Sequence, residues 1–174
     1  MPGTLVPNQM YDHELNVLKG WFAGMHFLDH SGPIADGETI LAGSVVYKDG
    51  AGEFRSGNPD NTLAMFAWPN SADFDVSADV GNIQSFNLTA LPVTGAYEVQ
   101  TTEFETALTY NVNDYLGAHF PGKPNYSASE LGKIYVGVPY VDTIVGIVSK
   151  GATENDFKKE VVSLWTYHLP IAVP

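Results

Sequence analysis

Residues 143–150 read TIVGIVSK, a run in which apolar residues fall on both alternating faces of an extended chain. A strand with one wet face alternates apolar and polar residues, whereas a strand covered on both faces is apolar throughout. Gly146 lies in the middle of this run, and a glycine inside a strand marks a bulge or a close approach of another backbone. We therefore predict a central strand here, covered on both faces.

Short strands of this kind recur along the whole chain. The 17 Gly and 11 Pro residues are spread rather than clustered, and they interrupt the sequence about every 8 to 12 residues, as in a sandwich or barrel. Segments rich in β-branched and aromatic residues lie between these breaks and are predicted strands. They are Ile40–Lys48, Thr62–Trp68, Tyr97–Leu108, Ile134–Val138, Thr143–Ser149 and Val161–His168. The sequence thus predicts one all-β domain, a single β-barrel or a sandwich.

The glycine-rich stretch ETILAGSVVYKDGAGEFRSG, residues 38–57, is predicted to be a hairpin and not a phosphate-binding loop. It contains no Lys-Ser or Lys-Thr pair and precedes no predicted helix, both of which a phosphate loop requires. An Asp-Gly turn at 49–50 would let glycine supply the positive φ of a tight hairpin, with the chain returning through Phe54. Tyr47 and Arg55 are then better sought at a protein interface than in a pocket.

The segment TTEFETALTY, residues 101–110, alternates in the manner of a half-exposed strand. Phe104 and its neighbours at even positions would face the core, while Glu103 and Glu105 would face water. Two carboxylates in an acidic protein do not by themselves indicate catalysis, because a catalytic pair is defined by its separation in space. The alternation accounts for both residues, and we assign no catalytic residue.

The first 36 residues lack a strand period and are predicted to be an N-terminal arm outside the β domain of residues 37–174. Apolar residues three or four apart predict a short helix over Asp12–Phe22, and a second, shorter helix is predicted over Asn113–Gly117. Arms of this sort reach neighbouring subunits. The predicted contacts of the arm are Tyr11, Trp21 and Phe22.

The charge excludes two classes of partner. The formal net charge is −12, from 20 acidic and 8 basic residues, and such a chain repels a nucleic-acid backbone and an anionic membrane surface.

No apolar run approaches the roughly 20 residues that span a bilayer, and the N-terminal residues do not resemble a secretory signal. With no cysteine, thiolate metal sites and disulfides are also excluded.

Two groups of residues were weighed as metal ligands, and neither is assigned. His26 and His30 have helical spacing, but Ser31 ends any helix and no third ligand is indicated. The acidic residues Asp73, Asp75 and Asp79 lie in a run without the turn glycine and the closing glutamate of a calcium loop. The sequence predicts no metal, no cofactor and no enzymatic activity.

Several blocks, taken in order, resemble the small capsid decoration, or cement, proteins of tailed double-stranded DNA bacteriophages. The resemblance covers roughly residues 37–170 and is an order of weak motifs without one diagnostic signature. The blocks are GETILAGSVVYKDGAGEFRSG, AMFAWPNSADFDV, LPVTGAYEVQTTEFE, NDYLGA, a Gly132-Lys133 turn, VDTIVGIVSKGATEN and VVSLWTYHLP.

The resemblance implies a barrel or tulip-like sandwich, made in the host cytoplasm, that binds the outer surface of the capsid. It further implies a homotrimer that stabilises contacts between subunits of the major capsid protein. No catalytic residues are implied.

The alternating aromatics of SLWTYHLP, Trp165 and Tyr167, are the remaining predicted contacts. They are interpreted either as residues of a core-facing strand, which we expect for at least one of them, or as aromatic contacts with a partner subunit. A second hypothesis is a carbohydrate- or receptor-binding β-sandwich of a virion fibre that uses exposed Tyr and Trp. A hydrolase is the third hypothesis and ranks last.

Overall fold

The structure, a computed structural model, describes residues 15–20, 31–38, 40–60, 62–68, 88–93, 97–123, 126–139, 141–154 and 160–169. These residues form eleven strands, one 3-10 turn at Ala128–Glu130 and no α-helix, which confirms the all-β class. The strands are β1 Leu15–Gly20, β2 Ser31–Gly32, β3 Val45–Lys48, β4 Phe54–Ser56, β5 Met65–Trp68, β6 Leu88–Pro92, β7 Tyr97–Thr101, β8 Tyr115–Ala118, β9 Ile134–Val136, β10 Ile144–Glu154 and β11 Glu160–Leu169.

The strands form two antiparallel sheets that pack as a sandwich. The six-stranded sheet has the order β1-β7-β11-β10-β8-β9, and the five-stranded sheet has the order β2-β6-β5-β3-β4. The described strands therefore make two open layers and not a closed barrel. The main core lies between the layers and includes Val45, Phe66 and Leu91 from one sheet and Val99, Leu116, Val145 and Leu164 from the other.

The five-stranded sheet is buried on both faces because successive residues serve different cores. Phe66 faces the six-stranded sheet, whereas its neighbours Met65 and Ala67 belong to a second core on the other side. The segment before β3 closes this second core with Ile34 and Ile40. Among the described residues, the five-stranded sheet is thus an inner layer with buried side chains on both faces.

The predicted central position is confirmed for β10, but the predicted cover of its second face is wrong, since Ile147 and Ser149 are only half-buried there. The strand lies between β11 and β8, where Gly146 is opposite Thr166 on one side and Leu116 on the other. A side chain at position 146 would press on Leu164 and lie 3.0 Å from the carbonyl oxygen of Trp165. The glycine is therefore required by a close approach of strands, as predicted.

The predicted hairpin is also confirmed, since β3 pairs with β4 and Tyr47 lies opposite Arg55. The position of its left-handed glycine differs from the prediction. Gly52, with φ of 82°, supplies the positive φ, because the connection spans residues 49–53 and closes where the Asp49 amide donates to the Glu53 carbonyl at 2.9 Å.

The predicted strand Tyr97–Leu108 is too long, and its wet face is wrong. Strand β7 ends at Thr101, after which Phe104 makes a parallel bridge to Ile134. Glu103 is only 2% exposed. Its main chain lies against β9, because the Ile134 amide donates to the Glu103 carbonyl at 3.0 Å.

Both predicted helices are wrong where the structure describes them. Leu15–Gly20 is β1, which pairs with β7. The pairing register shifts between Val17 and Lys19, so the apolar residues of this strand do not alternate regularly and their spacing resembles a helical period. In the second segment, a turn closed by the Asp114 amide on the Asn111 carbonyl, with φ of 74° at Asn113, leads into strand β8, to which residues 115–117 belong.

The two described parts of residues 1–36 belong to the sheets. β1 is an edge strand of the six-stranded sheet and β2 an edge strand of the five-stranded sheet. The division between an arm and a domain at residues 36 and 37 stays a prediction. The predicted contacts Tyr11, Trp21 and Phe22 lie outside the described residues, as do His26, His30, Asp73, Asp75 and Asp79.

Candidate functional site

Trp165 and Tyr167 both lie on the outer face of the six-stranded sheet. Trp165 is 41% exposed and Tyr167 is 39% exposed, whereas Leu164, which precedes Trp165, and Thr166, which lies between the two aromatic residues, are buried. Successive residues of a strand point to opposite faces, so the two aromatic side chains share one face. The expectation that at least one of them faces the core is therefore wrong, and both are available for contact.

The same face carries two further residues in register with Trp165. Ile147 of β10 lies opposite Trp165, and Tyr115 of β8 lies opposite Ile147. Tyr115 is 38% exposed. We call Tyr115, Ile147, Trp165 and Tyr167 the outer row. Adjacent strands are about 4.8 Å apart, so the row places two aromatic residues about 10 Å apart across three strands.

A polar residue borders the outer row on the β7 side. Glu98 lies directly opposite Trp165 and is 7% exposed. Its Oε1 atom accepts a hydrogen bond of 2.5 Å from the Ser149 hydroxyl of β10. This bond joins β7 to β10 across β11, on the face of the sheet that carries Trp165.

A buried polar cluster supports the other end of the row. The Tyr135 hydroxyl donates to Asp142 Oδ1 at 2.5 Å, and the Val138 amide donates to Asp142 Oδ2 at 2.8 Å. The next amide back, that of Gly137, donates to the Tyr115 carbonyl at 2.8 Å. Asp142 thus holds the segment that follows β9, and the Gly137 amide of that segment is bonded to the main chain of Tyr115.

His119 extends this cluster toward the segment after β7. Its Nε2 atom lies 3.1 Å from Glu105 Oε2, and its ring centre lies 4.7 Å from that of Tyr135. The His119 side chain is buried, and its Nδ1 atom has no hydrogen-bond partner among the described residues. Since no surface of this imidazole is open, the arrangement ties elements together and offers no accessible catalytic nitrogen.

Burial shifts the titration of the tyrosines at this end of the sheet. It raises the pKa of Tyr135 well above its usual value, and the Asp142 carboxylate adds to the rise. Burial also raises the pKa of Tyr110, with the Glu105 carboxylate adding to it. Both phenols are therefore neutral hydrogen-bond donors throughout the neutral pH range.

The hairpin residues Tyr47 and Arg55 form a separate site on the five-stranded sheet. Arg55 Nη1 lies 3.4 Å from Glu38 Oε1, and Arg55 Nε donates to Asp49 Oδ2 at 2.8 Å. This hydrogen bond lowers the pKa of Asp49. Tyr47 packs edge-on against Phe120, with ring centres 5.8 Å apart. The charge of Arg55 is thus satisfied within the chain, which weakens its case as a contact residue.

Sequence reasoning named two residues of the outer row and missed Tyr115 and Ile147. The sequence predicts a helix at Tyr115 and a strand covered on both faces at Ile147, and neither prediction places these side chains on an exposed sheet face. The register across strands, which brings these residues beside Trp165, links positions 18 and 32 residues apart. No local pattern in the sequence carries that information.

Comparisons with protein-family models, with curated proteins and with solved structures find no match for this chain. Among the described residues, no group of three or more His, Asp or Glu side chains is placed to hold a metal ion. No helix within the described ranges has the length and hydropathy needed to span a membrane.

Proposed function

We propose that this protein is a virion structural protein that decorates the outer surface of a tailed-phage capsid, as a trimer, through protein contacts made by the outer row. One observation carries the proposal: Trp165, Tyr167 and Tyr115 are each about two-fifths exposed on one face of the six-stranded sheet. Tryptophan and tyrosine are the residues most enriched at the energetic centres of protein interfaces. The resemblance to decoration proteins supports the choice of the major capsid protein as partner.

The size of the outer row defines its part in such an interface. An aromatic side chain buries about 150–250 Å² when fully covered, so two-fifths exposure leaves roughly 80 Å² on each of the three rings, about 240 Å² in all. A standard interface covers about 800 Å² on each partner. The row is therefore the anchor of an interface whose rim comes from neighbouring surface.

A trimer supplies the affinity that one anchor lacks. When one subunit of a trimer has bound a lattice, the others bind at a high effective concentration, which strengthens attachment by a factor of about 10² to 10⁴. Strong acidity supports the same role, since particles coated with a chain of charge −12 repel each other and free nucleic acid.

A carbohydrate-binding module is the second candidate, because exposed Trp and Tyr rings on a flat sheet are also suited to stacking against sugar rings. The observation that favours it is the same outer row. The two candidates differ in what competes for the row: an isolated glycan blocks a lectin-like face, whereas only an assembled protein lattice occupies a decoration face.

The test is co-sedimentation of the purified chain with empty, expanded shells of the phage that encodes it. We expect saturable binding, and we expect Trp165→Ala to raise the dissociation constant about 30-fold, which corresponds to about 2 kcal/mol for the loss of an aromatic anchor. Leu63→Ala is the matched control, because Leu63 is 45% exposed but precedes β5 in the other sheet. It should bind within twofold of the unmodified chain.

Two results would overturn the proposal. Binding that is absent for the unmodified chain would exclude a decoration role. Retention on immobilised glycans that Trp165→Ala abolishes, with no binding to shells, would replace it by the carbohydrate-binding module.

A further inference from the structure

The turn that follows β9 exposes two apolar side chains and carries no charge. Residues 134–141 read IYVGVPYV, without an acidic or basic residue, and Val138 and Val141 are 55% and 50% exposed. Turns are usually built from Gly, Pro, Asn, Asp and Ser. Single exposed apolar side chains need no explanation, whereas apolar side chains exposed together point to an interaction surface. We call residues 138–141 the valine turn.

A buried carboxylate holds the valine turn. Asp142 is 2% exposed, and its two oxygens accept hydrogen bonds from the Val138 amide at 2.8 Å and from the Tyr135 hydroxyl at 2.5 Å. The main chain adds two more bonds, since the amides of Val141 and Asp142 donate to the Val138 carbonyl at 3.1 Å and 2.9 Å. Four hydrogen bonds thus define the shape in which the turn presents its two valines.

The charged groups beside the valine turn are bonded within the chain. Asp60 pairs with Lys123, and its Oδ1 atom also accepts from the hydroxyl of Thr143, just beyond the turn, at 3.1 Å. Asp114, just before the neighbouring strand β8, accepts from the Asn111 amide at 2.7 Å. The apolar surface of the turn is therefore bordered by an ion pair without net charge and by a carboxylate bonded within its own loop.

We infer that the valine turn is where copies of this chain meet, at the three-fold axis of the proposed trimer. Around a rotation axis, each residue close to the axis lies against its own copies. A charged residue there meets like charges, which oppose association, whereas an apolar residue meets an apolar one. In a chain with 20 acidic and 8 basic residues, an uncharged apolar turn is a surface that three copies can share.

This inference rests on the proposed function, which supplies the trimer, and it leaves the outer row available. The valine turn follows β9, the last strand of the six-stranded sheet, whereas the outer row lies on the broad face of β8, β10 and β11. A trimer whose axis runs along this edge would keep its three outer rows free to contact one shell. The two contacts therefore use different surfaces of the same sheet.

Cysteine cross-linking gives the sharpest test, because the sequence contains no cysteine. A disulfide requires Cα atoms about 4.4–6.8 Å apart, a separation that equivalent residues of two copies reach only close to the axis. Val141→Cys should therefore form a disulfide-linked dimer on mild oxidation with copper phenanthroline. Since each trimer offers three thiols and one disulfide uses two, about two of every three chains should be linked at most.

Leu18→Cys is the matched control. Leu18 is 45% exposed, but it belongs to β1 at the opposite edge of the same sheet. After the same oxidation it should run as a monomer on a non-reducing gel.

Sedimentation velocity of the free chain gives a second measurement. Val141→Asp would place three carboxylates around the axis, so the concentration at which half of the chains are trimeric should rise at least about tenfold. Leu18→Asp adds the same charge at the opposite edge and should change this concentration less than about twofold. Added salt should favour the trimer of the unmodified chain, because it screens the acidic surface elsewhere.

Three results would overturn the inference. They are cross-linking of Val141→Cys no greater than that of Leu18→Cys, equal assembly of Val141→Asp and Leu18→Asp, and an unmodified chain that binds shells but stays monomeric in solution. Each leaves a decoration role intact. Shells that stay bare with the unmodified chain would instead refute the proposed function, so the two failures are distinguishable.

Discussion

Replacing Gly146 by alanine should destabilise the fold, although alanine is ordinarily the better residue outside turns. A Cβ atom at position 146 would lie far inside van der Waals contact with Leu164 Cδ1 and 3.0 Å from the carbonyl oxygen of Trp165. Leu164 is fully buried in the main core. Neither the side chain nor the backbone of β11 can move away without disturbing the sheet.

The expected magnitude follows from two opposed effects. Forcing an extra methyl group into a packed core costs about 1–3 kcal/mol, and the close backbone contact places this site in the upper part of that range. The reduced entropy of the unfolded chain returns about 0.4–1 kcal/mol. The net loss is about 2 kcal/mol, which lowers the Tm of a domain of this size by about 4–8 °C.

Gly50→Ala is the control for this experiment, because an added Cβ at Gly50 meets no atom of the described residues within 4 Å. Urea unfolding followed by tryptophan fluorescence should give a stability within about 0.5 kcal/mol of the unmodified protein for Gly50→Ala. The double variant Gly146→Ala/Leu164→Ala should lose less than the two single changes added together, because truncating Leu164 removes the clash. Equal stability of Gly146→Ala and Gly50→Ala would refute the close approach of β10 and β11.

Three other changes test the buried polar cluster, the buried tyrosines and the contact between Gly57 and Phe120. Tyr135→Phe removes a donor to the buried carboxylate of Asp142 and should cost about 2 kcal/mol in urea unfolding; an unchanged stability would contradict this bond. Because burial raises the pKa of Tyr135 and Tyr110, the unfolded chain ionises first above pH 10. The contribution of these tyrosines to the free energy of unfolding should therefore be fully present below pH 10. It should fall above pH 10 by up to about 1.4 kcal/mol per pH unit for each tyrosine. If urea titrations show the same pH slope for Tyr110→Phe as for the unmodified protein, the raised pKa of Tyr110 is contradicted. Gly57 has φ of 95°, and a Cβ added there would lie 2.6 Å from Phe120 Cδ2. Gly57→Ala should therefore lower the Tm by at least about 4 °C in a thermal scan. A smaller change would mean that Phe120 can move aside.

The strands that could be predicted from sequence are those whose pattern is set by their own faces. β10 is interior to its sheet, as the apolar run TIVGIVSK indicates, and β11 alternates because Leu164 and Thr166 face inward while Trp165 and Tyr167 do not. These patterns belong to single strands and need no knowledge of neighbours.

The errors arose where the chain follows tertiary packing instead of a regular period. A bulge in β1 shifts Leu18 out of the strand alternation, so that its spacing imitates a helix. The alternation of residues 101–110 continues past the end of β7 because Phe104 is packed in the core beside β9. In both places tertiary contacts override the local preference.

The outer row could be predicted only in part for a related reason. An aromatic pair such as Trp165 and Tyr167 is visible in one strand, but its exposure depends on whether another layer covers that face. The same sequence pattern would fit a sandwich in which this sheet lay inside. The partners in the row, Ile147 and Tyr115, are assembled by register across β10 and β8.

The most direct test of the central claim is a cryo-EM reconstruction of expanded phage shells incubated with the purified protein. We expect trimeric density on the outer surface, with the face formed by β8, β10 and β11 turned toward the major capsid protein and Trp165 at the contact. Bound protein whose outer row faces solvent, or shells that stay bare at saturating concentration, would contradict it.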